Sequence, residues 1–210
     1  MLPISVVLAG SYVALVTVSI LQSGSLEIDN SMSFQLQSYD SNDKIKAISS
    51  KSDFLQIFLR CKRLSPEAIS GNTYRGELLQ LGILSPAAYF ITNYLFGPGK
   101  WMGKSFSSDG CTGWNNFQVS ALQNRTSISL PSQQFDIKFL PSELDKKNTL
   151  QLHYFPRNRF NLISAGMMDE LRSIDDTGDI LLGCGGIRFS GGMRNFAPFV
   201  LYKKMSLLRE

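Results

Sequence analysis

The chain contains a single histidine, so any imidazole base, nucleophile relay or histidine metal ligand would have to be His153. It sits in "TLQLHYF", where apolar and polar residues alternate as in a strand. There it shares a face with Gln151 and Phe155, opposite Leu150, Leu152 and Tyr154. No Gly-x-Ser-x-Gly accompanies it, and the plainer reading is a histidine in the wall of a sheet. Cys61, Cys111 and Cys184 are odd in number and far apart. With no Cys-x-x-Cys pair, they signal neither a disulfide framework nor a zinc site. The stretch with more chemical capacity is "MMDELR". Read as a strand, it puts Met168, Glu170 and Arg172 on one face and Met167, Asp169 and Leu171 on the other. A glutamate and an arginine inside an apolar cavity could orient a carboxylate, hydroxyl or carbonyl of a ligand, with methionine adapting to its body. The competing reading is an exposed cross-strand ion pair worth about 1 kcal/mol at most. The candidate ligand-binding residues are therefore Met168, Glu170, Arg172, His153 and Tyr154. No residue is assigned as catalytic and no metal site is expected.

A second stretch, "GPGKWMGKSF" at residues 97–106, sets one of only two tryptophans between glycines. It fails as a phosphate-binding loop: its Gly-Lys-Ser follows a bulky Trp-Met pair, the glycine interval is wrong, and it leads into a strand. Glycines on either side of Trp101 instead let the backbone bend and approach a neighbour while a large rigid ring fills the tapering end of a barrel. Gly99, Trp101 and Gly103, with Tyr74 and Arg75, are the expected barrel-closing residues, and Arg75 or Arg188 could stack on the indole.

These stretches need elements to hold them. In "SDFLQIFLRCKRL" Phe54, Ile57, Phe58 and Cys61 follow helical spacing. "SPEAIS" starts a short helix with Ser65 and Pro66, and "LSPAAYFITNYLFGPG" repeats the device with Ser85 and Pro86. In the latter, Phe90, Ile91, Tyr94 and Leu95 share a face. These helices are expected as plugs or lids. From Lys100 onward the chain alternates in short runs separated by "DDTG" and "SGGMRN", which are turn-rich. Counting "NTYRGELLQ", "KWMGKSF", "NNFQVSAL", "TSISL", "FDIKFL", "TLQLHYF", "MMDELRSI", "DILLGCGGIRF" and "APFVLYKK" gives about eight or nine strands. Meander spacing without intervening helices predicts an antiparallel β-barrel, because closure removes exposed edges.

The amino terminus reads differently. Leu2 to Leu21 carries no charge and is long enough to cross a bilayer as a helix. Residues 1–22 are read as a hydrophobic anchor rather than a secretory signal, although Ser23-Gly24-Ser25 would suit cleavage. Residues 23–51 read as a polar tether and 52–210 as the barrel domain with its helical lids. Neither flank of the apolar span carries the lysines or arginines that would vote on topology. The expected location is thus an organellar or secretory-pathway membrane, side unassigned. Asn124 opens "NRT", a formal glycosylation acceptor.

A Gly-x-Trp entering the first strands, preceded by a short helix, is similar to the signature of lipocalins and related calycin barrels. More specifically, "LSPEAISGNTYRGELL" followed by "LFGPGKWMGKSF" and "NNF" resembles the GXWXG family with its companion carboxy-terminal domain, and "MMDELRSIDDTGDILLGCGG" resembles that family's closing strands. The likeness spans roughly residues 53–204. It departs from the pattern in Gly71 to Gly76, where Tyr74 stands in a tryptophan's place. The resemblance implies a calycin-like barrel whose indole plugs the closed end.

Composition narrows the function. Hydrophobic residues make up 43% of the 210 and charged residues 18%, with a net charge of +4. Basic residues are dispersed, and "RCKR" is too small a cluster for a nucleic-acid footprint. Three functions are left. One is a membrane-anchored barrel that binds an apolar small molecule, a lipid or pigment, without altering it. Another is an accessory subunit of a larger membrane complex docked through the amino-terminal helix. The last is an isomerase, cyclase or lyase acting on an apolar substrate, with Glu170, Arg172 and His153 as acid-base candidates. A roomy apolar lumen favours the first, a lumen filled by its own side chains the second, and a titratable pair converging inside the lumen the third.

Overall fold

The computed structural model describes residues 45, 48–82, 85–120, 127–155, 157–158 and 161–204. Its body is a closed barrel of eight antiparallel strands, each paired with its sequence neighbours and the last paired with the first. The strands are β1 (Thr73–Leu78), β2 (Lys100–Phe106), β3 (Thr112–Ser120), β4 (Ser127–Pro141), β5 (Asn148–His153), β6 (Met167–Ser173), β7 (Ile180–Ile187) and β8 (Ala197–Lys203). The expected "TSISL" and "FDIKFL" are one strand, β4. Its register against β3 slips beside Gln133, which has a positive φ of 52°. Such a bulge lets a long strand bend around a barrel without ending.

Alternation decides what fills the barrel. Tyr74, Trp101, Phe106, Phe117, Phe135, Leu150, Leu152, Leu171, Leu181, Phe199 and Leu201 form one buried cluster inside it. The end with short turns is filled by Tyr74, which packs edge-on against Phe106 and donates its hydroxyl to the Gly178 carbonyl at 2.9 Å. Beside it lies helix α2 (Pro66–Ile69), with Ile69 buried in the same cluster. The other end is covered by helix α3 (Ser85–Phe90) and the π-helical turn Ile91–Leu95 that continues it.

Helix α1 (Lys51–Arg60) straps the outside of β6 to β8. Ser50 caps it by accepting from the Asp53 N–H at 3.0 Å. Phe54, Leu55 and Phe58 bury themselves against the outer residues Leu182, Cys184 and Val200. The three helices therefore act as strap, plug and lid. Among the described residues no helix is long and apolar enough to cross a membrane. Leu2 to Leu21, most of the 23–51 stretch and Asn124 lie outside the described residues.

Candidate functional site: a polar floor inside an apolar barrel

β2 places a lysine inside the barrel by breaking its own alternation. The register between β2 and β3 shifts between Trp101 and Gly103, and Gly103 has φ +131° with its Cα hydrogen facing the Tyr74 carbonyl. A Cβ there would come within 2.1 Å of that oxygen, so the position requires glycine. The extra residue turns both Trp101 and Lys104 inward, three positions apart. Directly opposite Lys104 on β3 is Asn115, and across the barrel β6 contributes Asp169, opposite Gly185 of β7.

These groups form one network. The Lys104 ammonium donates to Asp169 Oδ2 at 2.8 Å, Asn115 Oδ1 at 2.8 Å and the Tyr154 hydroxyl oxygen at 2.7 Å. Tyr154 donates its own hydroxyl to Asp169 Oδ2 at 2.9 Å. Asn115 Oδ1 also accepts from Trp101 Nε1 at 2.9 Å, and Asn115 Nδ2 donates to the Tyr154 oxygen at 3.1 Å and the Gln133 carbonyl at 3.2 Å. Lys104 is 2% exposed and Asp169 1%, so this is a buried ion pair, and its desolvation is offset by the hydrogen bonds around the ammonium and Asp169 Oδ2. The rings of Trp101, Phe135, Tyr154 and Phe199 stand 5.3–5.5 Å from the ammonium and add cation–π attraction.

Above this floor lies a cavity of about 130 Å³. Its apolar wall includes Phe96, Trp101, Met167 and Phe199, and its lid is formed by Ala88 and Ile91 of the α3 segment. All three ammonium hydrogens of Lys104 are engaged within the protein. Among the described residues that line the cavity, one buried side-chain atom lacks a partner: Asp169 Oδ1.

The residues named from sequence are distributed differently. Tyr154 belongs to the network. Glu170 and Arg172, expected toward the cavity, lie on the outer face of β6, because Asp169 and Leu171 take the inward positions. Glu170 accepts from Ser142 Oγ at 2.6 Å, the Glu143 N–H at 2.7 Å and Gln151 Nε2 at 3.2 Å, fastening the β4–β5 turn. Arg172 donates to Asp145 Oδ1 at 2.8 Å and the Leu59 carbonyl at 3.1 Å beneath α1, its guanidinium 4.8 Å from the Phe58 ring centre. His153 and Met168 line a second pocket of about 490 Å³ with Lys138, Glu143 and Arg188. His153 Nε2 is 3.0 Å from Gln151 Oε1. Burial, then Lys138, holds its imidazole below the ordinary histidine range.

Of the expected closing residues, Trp101 stands at the end covered by the α3 segment, where it lines the cavity; its backbone N–H donates to Asn93 Oδ1 at 3.0 Å. Tyr74 fills the opposite end, Gly99 lets β2 approach the Gln118 carbonyl, and Gly103 makes the bulge. Arg75 points outward, paired with Glu77 at 2.8 Å and stacked 5.2 Å from the Tyr202 ring centre, away from the indole.

Lys104, Asn115 and Asp169 were not singled out from sequence. A signal existed for Asp169: in "MMDELR" its face carries Met167 and Leu171, more apolar than the Met168-Glu170-Arg172 face, and therefore the better candidate for the interior. For Lys104 the only signal was Gly103, whose place in a strand marks a bulge. Among the described residues, no group of three or more His, Cys, Asp or Glu side chains is arranged to hold a metal ion. No protein-family model matches the chain, and no curated protein matches it.

Burial sets the alkaline behaviour of these groups. It pushes the Tyr154 hydroxyl well above its ordinary value of 10.0, with Asp169 adding to the effect. It likewise raises the Cys184 thiol, beneath α1, well above 9.0, helped by Glu170. In both cases the folded protein keeps a proton that the unfolded chain releases. Their stabilisation is therefore complete below the ordinary values and is lost above them, at about 1.4 kcal/mol per pH unit for each group. Burial pushes the Lys104 ammonium the other way, below 10.5, with Asp169 opposing. Its contribution rises with pH up to that value and then levels off. Urea midpoints are thus expected to fall steeply above pH 10.5; a midpoint unchanged to pH 12 would mean that the Tyr154 hydroxyl is in contact with water.

Proposed function

We propose that this chain binds a small apolar molecule in the lumen of its barrel and does not alter it chemically. The observation that carries this reading is a cavity at the lidded end of the barrel with a largely apolar wall and a buried, hydrogen-bonded polar floor, the usual division of labour in a ligand pocket. Its volume is room for one ring or chain end, since a cavity of about 150 Å³ accommodates a benzene. A lipid or pigment would enter with that end first, beneath the α3 segment. A titratable pair does converge inside the barrel, as catalysis would require. Yet the lysine and tyrosine protons are all committed to protein acceptors, which favours holding a ligand over moving a proton. The calycin-like resemblance around Trp101 points the same way, and the uncharged stretch from Leu2 to Leu21 would tether the barrel to a membrane.

One observation favours a second reading, an accessory subunit of a membrane complex. The lid turns Phe90 and Tyr94 outward, 52% and 65% exposed, with their rings stacked at 5.3 Å. Native mass spectrometry of the protein released gently from its own membranes separates the two. A one-to-one adduct of a small apolar molecule on a lone chain is expected. A chain found only within a larger assembly and free of any adduct would favour the subunit reading instead.

A further inference from the structure

The unpartnered carboxylate oxygen restricts what the cavity can hold. Asp169 is almost completely buried, and its Oδ2 already accepts from Lys104 and Tyr154, whereas Oδ1 accepts from nothing. A buried acceptor left unmade costs the full desolvation of the group, more for a charged one. The space in front of it is kept open by sequence: Gly185, paired with Asp169 across β6 and β7, also lines the cavity. A methyl group on Gly185 would stand 3.0 Å from Oδ1. Charge is already balanced within the floor, one ammonium against one carboxylate. An anionic ligand head would find every Lys104 hydrogen taken and the free position occupied by a carboxylate oxygen. A cationic head would leave the dry site with an uncompensated charge.

We propose that the lumen ligand is a neutral apolar molecule bearing a hydrogen-bond donor, an alcohol or a phenol, whose hydroxyl donates to Asp169 Oδ1 while its ring or chain fills the aromatic wall. This rests on the lumen-binding reading and adds the chemical class. Donor recognition of this kind discriminates strongly, because an isostere without the donor leaves the buried acceptor unpaired.

Calorimetric titration of the full chain with phenol, toluene and benzoate tests it, phenol and toluene being matched in size. Phenol is expected to bind at least about tenfold more tightly than toluene, and benzoate not measurably, since at the floor the open position is a carboxylate oxygen and the Lys104 hydrogens are already engaged. Gly185→Ala, whose methyl would stand before Asp169 Oδ1 with its other near neighbours 3.6 Å away or more, should remove most of phenol's advantage over toluene. Equal binding of phenol and toluene would overturn the proposal and leave lumen binding standing, the acceptor then being served by water. Tightest binding by benzoate would overturn it in favour of an anion held by Lys104. Binding of none of the three would remove the lumen-binding reading itself, and the proposal with it.

Discussion

Replacing Lys104 with methionine is expected to cost about 3–5 kcal/mol at neutral pH, the range for removing one partner of a buried ion pair. The loss comes from what remains: Asp169, 1% exposed, would keep only the Tyr154 hydroxyl as a donor. The double variant Lys104→Met with Asp169→Leu should recover most of the loss, because a dry pair replaced by packed apolar groups is often neutral or better. Equilibrium urea unfolding of the parent and the two variants checks this. A single-variant loss below about 1 kcal/mol would mean that the pair is hydrated. No recovery in the double variant would mean that the lysine matters through its stem and its four surrounding rings rather than its charge.

Trp101→Ala is expected to cost a similar amount, about 3–5 kcal/mol, as for emptying a large buried aromatic site. The indole is 6% exposed, packs edge-on against Phe199 at 5.6 Å and leaves no room for a side chain at Gly76. Trp101→Phe separates packing from hydrogen bonding. It keeps much of the ring contact but removes the Nε1–H that Asn115 Oδ1 accepts. Since that oxygen retains Lys104 as a donor, the phenylalanine variant should lose about 1–2 kcal/mol. A loss below about 1 kcal/mol for Trp101→Ala in the same unfolding measurement would mean that the indole contributes little to the interior.

The barrel was legible because its evidence is periodic and redundant. "TLQLHYF" and "FDIKFL" each declare an inner face several times over, and the structure uses those faces: Phe135, Ile137, Leu150, Leu152 and Tyr154 all lie in the interior cluster. The count settles at eight, within the expected eight or nine, because at Gln133 one residue of positive φ bends β4 without ending it. The polar floor was legible only in part, for two separate reasons. Lys104 is inside because a bulge reverses parity between Trp101 and Gly103, and alternation carried forward from the tryptophan puts the lysine outside. Glu170 and Arg172 attracted notice as a charged pair, but a barrel strapped by a helix has a second dry layer on its outer surface. Buried charge on β6 therefore had two places to be. Arg172 beneath α1 and Glu170 beneath the β4–β5 turn occupy the outer one.

The pairing of β1 with β8, Tyr74 opposite Lys203 and Leu78 opposite Phe199, has a consequence in time. A meander zips strand by strand from local hairpins, but here the final seam joins the earliest strand to the latest, and its loop-closure entropy is due before any contact repays it. Until that seam forms, β1 and β8 are open edges able to recruit another chain, and Phe199 is not yet opposite Leu78. During synthesis the seven preceding strands would wait as a curled, unsealed sheet. The lumen, floor and lid would then come into being together in a single late step, which makes this protein a strong candidate for chaperone dependence while it is being made.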